Sequence, residues 1–306
     1  MKLLFANILW FLLSLLPLKF LYLLSDILRP IVHYIIRYRL KVVRKNLLLA
    51  FPEKTEMERK KIENNFYAFF CDYIIETIKL FSISKKQLMN RMQFIGVDKM
   101  IDDLKTSGKD LCFVYLGHFG NWEWIASLPY WSTDSNVRFG QIYHPLRNNT
   151  MDQLFLKVRG RFNGDNIPMK ATLRHIVKLK QDGQKMIIGF ISDQLPKWNS
   201  IHHFSTFFSQ DTAVFTGTEQ IGKQFDTLFY YGEIRHPKRG YYQCEFKKIT
   251  GNPSSIPDFQ ITDIYMNLLE KNIRNIPHIW LWSHDRWKRT KEEWIRRQKE
   301  DDDQSV

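Results

Sequence analysis

The stretch from Leu111 to Glu123 constrains the fold more than any other part of the chain. Its first six residues are an apolar run of the length expected for a buried strand. The next four, Gly117-His118-Phe119-Gly120, place a histidine between two glycines that tolerate the backbone angles of a tight turn. Asn121 is a good N-cap, so a helix is predicted to follow. This order of strand, turn and helix is typical of α/β enzymes that present a reactive side chain at the carboxyl end of a sheet.

His118 is a candidate general base, because an imidazole takes up a proton near neutral pH. A neighbouring carboxylate would fix its tautomer and stabilise the imidazolium, and Glu123 lies five residues further on. Residues five apart on one continuous helix point roughly 140° away from each other. The two side chains therefore meet only if His118 lies in the turn and Glu123 in the first helical turn. A structural histidine beside a surface glutamate is the alternative that the spacing leaves open.

Charge and cysteine content narrow the class of partner. The 306 residues carry a net charge of +13, which suits nucleic acid, an anionic membrane surface, or an acidic protein or phosphorylated substrate. No zinc-finger, helix-turn-helix or RNA-binding motif is present, so we predict no nucleic-acid partner. The three cysteines are widely separated, and His202 and His203 match no zinc spacing. We therefore predict no metal and no cofactor.

The amino-terminal residues favour a membrane anchor. The stretch from Leu3 to Leu24 is nearly all apolar and long enough to cross a bilayer, although Pro17 and Lys19 interrupt it. A kinked span and a helix lying in the headgroup region both fit this pattern. Basic residues follow between positions 29 and 45, and they favour a cytoplasmic location for the rest of the chain. We assign residues 1–28 to the anchor, 29–300 to a cytoplasmic catalytic domain and 301–306 to an acidic tail.

Strand and helix patterns alternate along the body of the chain. Strands are predicted at 93–95, 111–116, 137–143, 185–191, 227–231 and 242–246. Helices are predicted at 97–106, 121–130, 148–162, 171–181 and 259–275, after an earlier helix that opens with the capping box of Thr55 and Glu58. This alternation predicts an α/β fold: a mainly parallel sheet flanked by helices, with an N-terminal membrane-anchoring helix.

Gly117-His118-Phe119-Gly120-Asn121-Trp122-Glu123 resembles the motif of the bacterial late acyltransferases of lipid A biosynthesis. These are similar to the wider glycerolipid acyltransferases, whose motif is His-x-x-x-x-Asp. Further blocks in matching order are Tyr38-Arg39-Leu40 to Asn46-Leu47, Phe51-Pro52-Glu53, Ser192-Asp193-Gln194, and Trp280-Leu281-Trp282-Ser283-His284-Asp285-Arg286-Trp287-Lys288. Ser209 stands where that family usually has glycine, and Asp285 where a basic residue is common.

The resemblance implies roles for several residues. His118 would be the base and Glu123 its orienting carboxylate, with Asn121 as a supporting residue. Arg161 falls where the family carries an important arginine that would grip a phosphate; a surface arginine is the alternative. Asp193 and Gln194 match the family's aspartate block and would anchor the active-site loop or touch the acceptor, although a structural turn aspartate explains Asp193 equally well.

The function implied by the resemblance is O-acyl transfer from a thioester donor. The donor would be acyl carrier protein, or less favourably acyl-coenzyme A, and the acceptor a hydroxyl of an anionic, phosphorylated lipid A precursor at the bacterial inner membrane. No serine or cysteine nucleophile lies in a nucleophile-elbow context, which suits direct attack by the acceptor hydroxyl. Two alternatives stay open: an acyltransferase acting on a lysophospholipid or other polar lipid, and a non-catalytic basic membrane-binding protein.

Overall fold

Nine strands and eleven α-helices make up the part of the chain that the computed structural model describes, residues 2–132 and 134–304. Residues 1, 305 and 306 of the predicted terminal segments lie outside it. The strands are β1 (Met92–Ile95), β2 (Leu111–Leu116), β3 (Val137–Tyr143), β4 (Asp165–Pro168), β5 (Lys185–Ile191), β6 (Phe204–Phe207), β7 (Gln210–Ala213), β8 (Leu228–Lys238) and β9 (Tyr241–Thr250). The helices are α1 (Lys2–Leu15), α2 (Leu18–Pro30), α3 (Leu40–Ala50), α4 (Glu56–Lys79), α5 (Lys85–Arg91), α6 (Val97–Thr106), α7 (Asn149–Arg159), α8 (Thr172–Gln181), α9 (Gly217–Gln224), α10 (Gln260–Asn275) and α11 (Lys291–Gln304).

Seven of the strands form one sheet in the order β1-β9-β8-β2-β5-β3-β4. Strands β8, β2, β5, β3 and β4 are mutually parallel, whereas β9 runs antiparallel to β8 and carries β1 parallel to itself. Helices cover the sheet: α8 packs on β4 and β5, α6 on β9, and α10 on β8 and β9. The predicted α/β class with a mostly parallel, helix-flanked sheet is confirmed.

The centre of the sheet is its most apolar part. All six residues of β2 are buried, and β5 beside it is buried over Met186 to Ile188. Burial on both faces is what a parallel strand under helices requires, and it explains why these strands read as continuous apolar runs. Because β2 and β5 are neighbours, their carboxyl ends lie side by side, with Leu116 paired to Ile191.

Helix α4 begins at the predicted capping box. The Thr55 hydroxyl accepts from the Glu58 backbone N–H at 3.3 Å, and the Glu58 carboxylate accepts from the Thr55 backbone N–H at 2.8 Å. Its aromatic side chains Phe66 and Phe69 are buried, as core packing requires. The sequence reading missed β4, the β6–β7 hairpin and helices α5 and α9.

The amino-terminal helix is broken rather than continuous. Helix α1 ends at Leu15 and α2 begins at Leu18, because Pro17 has no N–H to donate and its ring clashes with the preceding turn. No single helix in 2–132 or 134–304 is both long and apolar enough to cross a bilayer. The segments 7–15 and 18–35 meet those criteria only as a pair, and the pair is bent by 113°. The predicted N-terminal helix is therefore two helices that meet at a sharp bend, and its anchoring in a membrane stays a prediction.

Polar contacts fix the bent pair to the body of the protein. Lys79 donates to the carbonyl oxygens of Ser14 at 2.6 Å and Leu16 at 3.0 Å, which satisfies carbonyls left free at the end of α1. Asp72 on α4 accepts from Ser25 at 2.6 Å and is gripped by the Arg239 guanidinium from the β8–β9 turn. The opposite side forms an exposed surface, which we call the N-terminal apolar face. It comprises Ile8, Leu9, Phe11, Leu12, Leu15, Leu16, Phe20, Leu23 and Ile27.

Both departures from the family pattern have local structural explanations. Ser209 follows Phe208 in the tight β6–β7 turn, and both residues have positive φ, at +57° and +51°. Such a turn favours glycine, which explains why glycine would suit this position. Asp285 forms an ion pair with Lys45 at 3.1 Å, which connects the carboxyl-terminal segment to α3.

Candidate active site

The turn that carries His118 follows β2 and is held by the carboxyl-terminal segment. The Gly120 N–H donates to the Ile279 carbonyl at 2.9 Å, and the Leu281 N–H donates to the His118 carbonyl at 3.0 Å. Gly120 has φ of +64°, and a Cβ there would lie 2.7 Å from a methyl group of Ile234. Both the backbone angle and the space therefore require glycine at this position.

Asn121 was predicted as the N-cap of an α-helix, but it precedes the helix that forms. A 3-10 helix spans Trp124–Trp131 in place of the predicted α-helix over 121–130, and its N-cap residue is Glu123, which makes no side-chain capping bond. The Asn121 side-chain oxygen accepts from the Trp124 N–H at 3.3 Å and so supports the turn before this helix. Its amide nitrogen donates to Glu76 at 2.7 Å.

Asp193 is the carboxylate that pairs with His118. Its Oδ1 lies 2.6 Å from the imidazole Nδ1, and its Oδ2 accepts from the His118 backbone N–H at 2.9 Å and from the Trp280 indole N–H at 2.8 Å. Burial alone would raise the pKa of Asp193, but the charge of His118 and these hydrogen bonds bring it down to about 2. The ionised carboxylate accepts a hydrogen bond from Nδ1–H. This fixes the tautomer in which the second imidazole nitrogen, Nε2, carries a lone pair and can act as a base.

Glu123 makes a different contact from the predicted one. Its two carboxylate oxygens accept from Nε and Nη2 of Arg159 at 2.8 and 2.7 Å. The residues between Asn121 and the 3-10 helix form a turn that directs Glu123 towards α7, where the guanidinium meets a carboxylate only 3% exposed. The predicted His118–Glu123 contact is therefore corrected: Asp193 takes that place, and Glu123 belongs to a neighbouring ion pair.

Two further side chains surround the imidazole. The Gln194 amide nitrogen lies 3.3 Å from Nε2 and donates to it when that nitrogen is unprotonated. Trp122 meets His118 edge-on at 5.2 Å and stacks against Tyr73 of α4 at 4.1 Å. The ring of His118 is thus positioned on both sides while Nε2 points towards Gln194.

A cavity of about 820 Å³ opens beside His118. Glu123, Arg159 and Gln194 line it near the imidazole. Most of its remaining lining is apolar, including Leu116, Ile125, Leu128, Phe139, Ile142, Phe155, Ile187, Phe190, Ile191 and Phe246. Its rim includes Met169, Lys170 and Lys197. A largely apolar cavity of this size that also contains a histidine fits a ligand with a long apolar part and one reacting polar group.

Arg161 does not join these residues. Its guanidinium donates to the backbone carbonyls of Leu80 and Ile83, the latter at 3.1 Å, and so secures the end of α4. Of the two arginines Arg159 and Arg161, Arg159 is the one that lines the cavity. Sequence reasoning missed Arg159, although its place one helical turn after Phe155 in α7 put both side chains on one face.

A buried carboxylate behind the site links the active-site turn to the amino-terminal helices. Glu76 accepts from Asn121 at 2.7 Å, from Tyr22 of α2 at 2.8 Å and from Tyr242 at 2.9 Å. Burial raises the pKa of Glu76 to about 7, although the three hydrogen bonds oppose the rise. The hydrogen bond to Glu76 therefore fixes the Asn121 side chain to α4.

His284 and His203 have structural contacts. His284 accepts from the Leu195 N–H at 3.0 Å, and burial together with the Arg286 charge lowers its pKa to about 4, so it stays neutral and holds the loop after Gln194. His203 lies 2.9 Å from Asp263. In 2–132 and 134–304, no group of three or more His, Cys, Asp or Glu side chains is arranged to hold a metal ion.

Comparison with known proteins identifies one family. The family model described as bacterial lipid A biosynthesis acyltransferase matches residues 2–289. The chain is 24% identical over 252 residues to the lipid A biosynthesis lauroyltransferase of Escherichia coli (strain K12), covering 82% of this chain and 79% of that relative. It is 27% identical over 128 residues to a lipid A biosynthesis acyltransferase of Haemophilus influenzae, covering 39% of this chain and 36% of that relative.

Proposed function

The chain belongs to the bacterial lipid A biosynthesis acyltransferase family, and on that basis we propose that it transfers a fatty acyl chain from acyl carrier protein to a hydroxyl of a phosphorylated lipid A precursor. The observation that carries the proposal is the pairing of His118 with Asp193 where the imidazole lines a largely apolar cavity. The base, its orienting carboxylate and the space for an acyl chain then lie in one place.

The chemical step needs no covalent enzyme intermediate. His118 Nε2 takes the proton from the acceptor hydroxyl as its oxygen attacks the thioester carbonyl carbon. Asp193 keeps the imidazole in the required tautomer and stabilises the imidazolium that forms. When the tetrahedral intermediate collapses, the carbon–sulfur bond breaks and the leaving thiolate takes the proton back from His118.

Gln194, Glu123 and Arg159 have supporting roles in this proposal. The Gln194 amide donates to Nε2 in the resting site and yields its place to the acceptor hydroxyl. The Glu123–Arg159 ion pair forms a rigid wall beside the base, in place of the orienting role that the sequence suggested for Glu123. Arg161 is proposed as structural, since two backbone carbonyls already hold its guanidinium.

The acyl chain occupies the apolar part of the cavity. Each buried CH₂ group contributes about 0.8 kcal/mol, so a fatty acyl chain gains much more binding energy there than a short one. An acidic carrier protein and a phosphorylated glycolipid also suit a chain of net charge +13.

The N-terminal apolar face supports a proposed association with the membrane. That face is wide, exposed and followed by the exposed cations Arg37, Arg39 and Lys41, which suit anionic headgroups. We propose that it lies on the cytoplasmic side of the bacterial inner membrane, next to the lipid acceptor. Flotation with phosphatidylglycerol vesicles tests this: Leu9→Ser/Leu12→Ser/Phe20→Ser loses binding, whereas Met57→Ser/Ile95→Ser, at exposed apolar residues elsewhere, retains it.

The activity is tested by incubating the purified protein with acyl carrier protein loaded with a fatty acid, and with an under-acylated lipid A precursor. Mass spectrometry is expected to detect one added acyl group on the precursor. His118→Ala is expected to reduce the rate by about 10²–10⁴-fold, the usual contribution of a positioned base. His202→Ala is the matched control, because it removes an exposed imidazole away from the cavity lining.

Three outcomes would contradict the proposal. A mass gain only on a lysophospholipid would assign a different acceptor. Equal transfer by the folded His118→Ala variant would remove the base. Transfer by neither the parent nor any variant, with vesicle binding intact, would favour a non-catalytic membrane-binding protein.

A further inference from the structure

One face of α8 combines exposed cations with exposed apolar side chains. Lys170, Arg174 and Lys178 follow one another at intervals of four residues and are all exposed. Between them lie Leu173 and Val177, exposed to 48% and 39%. Residues at these intervals project from one side of a helix, so the four side chains on α8 form a single surface. Lys170 lies in the short 3-10 helix Met169–Ala171 that leads into α8, and we call these five residues together the α8 face.

The α8 face is not used within the protein. The opposite side of the helix, Thr172, Ile176 and Leu179, is the buried side and packs against the sheet. Within 2–132 and 134–304, Lys170, Arg174 and Lys178 have no ion-pair partner, whereas many other exposed cations, such as Arg235 and Arg296, face carboxylates. Three uncompensated charges beside two exposed aliphatic side chains are typical of a surface that binds an acidic partner.

The position of the α8 face relates it to the active site. Lys170 and Met169, at its amino-terminal end, belong to the rim of the cavity that contains His118. A donor protein that delivers an acyl thioester must bind where its tethered thioester reaches the cavity. The α8 face meets that requirement because it begins at the rim.

We propose that the α8 face is the docking surface for an acidic acyl carrier protein, with the cations binding its carboxylates and Leu173 and Val177 packing against its apolar side chains. This inference rests on the proposed function, and it adds the place at which the donor binds. A carrier protein fits better than a bilayer, since two aliphatic side chains between cations make a small contact, whereas the N-terminal apolar face is much larger.

The test is a charge reversal, Arg174→Glu/Lys178→Glu, which leaves the cavity residue Lys170 unchanged. With acyl carrier protein as donor and saturating acceptor, KM for the donor is expected to rise about ten- to a hundredfold, since two attractive contacts are lost and repulsion replaces them. The kcat value is expected to stay within about threefold, because neither side chain lines the cavity. With acyl-pantetheine, a neutral donor without a protein, the variant is expected to match the parent.

A matched control changes the same charge elsewhere. Lys61→Glu/Lys99→Glu alters two exposed lysines on α4 and α6, outside the cavity lining. It is expected to leave KM for acyl carrier protein within about twofold of the parent, because distant surface charges are screened by salt. A second variant, Leu173→Ser/Val177→Ser, tests the apolar part of the surface and is also expected to raise KM.

The outcomes separate this inference from the proposed function. If the parent uses acyl carrier protein and the charge reversal leaves KM unchanged, the docking surface is wrong while the activity stands. If the reversal instead reduces binding to phosphatidylglycerol vesicles at unchanged KM, the α8 face is a bilayer contact and the inference is overturned. If the parent transfers no acyl group from any donor, the proposed function itself fails.

Discussion

Replacing Asp193 with Asn tests the site most directly, because it changes one charge with little change in shape. The asparagine oxygen can still accept from the Trp280 indole and the His118 backbone, as the carboxylate does at 2.8 and 2.9 Å. Its NH₂ group then faces the imidazole Nδ1. That nitrogen must become the acceptor, so the proton moves to Nε2 and the base nitrogen is blocked.

The expected loss follows from that tautomer change. In a Ser-His-Asp triad the corresponding change lowers kcat by about 10⁴-fold, and we expect a loss of about 10³–10⁴-fold here, or about 4–5.5 kcal/mol of transition-state stabilisation. KM should change little, because Asp193 is 2% exposed and does not line the cavity.

The stability of the Asp193→Asn variant is expected to fall as well. A pKa lowered from 3.8 to about 2 corresponds to about 2.5 kcal/mol of folding free energy. Because the folded-state pKa is the lower one, this stabilisation is present above pH 4 and is lost as the pH falls towards 2. The variant should therefore unfold more easily at pH 7 but lose less further stability than the parent between pH 4 and 2.

Both effects are measurable on the purified protein. Acyl transfer by mass spectrometry gives kcat and KM, and urea denaturation at pH 7 gives the free energy of unfolding. A folded Asp193→Asn variant with kcat within tenfold of the parent would refute the orienting role of Asp193. Asp193→Glu is the companion variant: it keeps the charge but displaces it, and it should retain more activity than Asn if the charge is what matters.

Three further predictions concern residues around the site. Arg159→Met leaves the Glu123 carboxylate buried without its partner and should destabilise the protein by about 3–5 kcal/mol, whereas the double change with Glu123→Gln should recover part of the loss in urea denaturation; equal losses in both would exclude the ion pair as the cause. The pKa of Glu76, raised from 4.5 to about 7, means that the folded state holds a proton which the unfolded state releases, so stability should fall by about 3 kcal/mol from pH 4.5 to 7, and Glu76→Gln should flatten that part of the pH profile. Ser209→Gly should stabilise the protein by about 1 kcal/mol, because Ser209 has φ of +57°, and a lower melting temperature in this variant would argue against strain in the β6–β7 turn.

Much of the sheet could be predicted from the sequence because its strands are buried on both faces. β2 and β5 read as uninterrupted apolar runs, and their predicted bounds match the structure. β8 was predicted as five residues but extends to Lys238, because its outer half forms a ribbon with β9 that carries exposed charged residues. The β6–β7 hairpin was missed since its strands are four residues each and partly polar.

His118 lines the cavity, but the carboxylate beside it is not the one that the sequence suggested. Local spacing favoured Glu123 because it lies in the same motif as His118. The true neighbour is set by strand pairing: β2 and β5 are aligned with Leu116 opposite Ile191, so His118 and Asp193 each lie two residues past a paired position. A motif within one segment carries no information about that register, which depends on how two distant segments are aligned in the sheet.

The contacts of Asp193 with His118 and Trp280 have a consequence for the synthesis of the protein. His118 precedes this carboxylate by 75 residues and Trp280 follows it by 87. A chain still emerging from the ribosome, or one cut short before Trp280, lacks the indole that helps to hold the carboxylate and the segment that clamps the histidine turn. Newly made protein therefore completes this site only near the end of translation, and fragments that end before Trp280 should lack the ordered pair of His118 and Asp193.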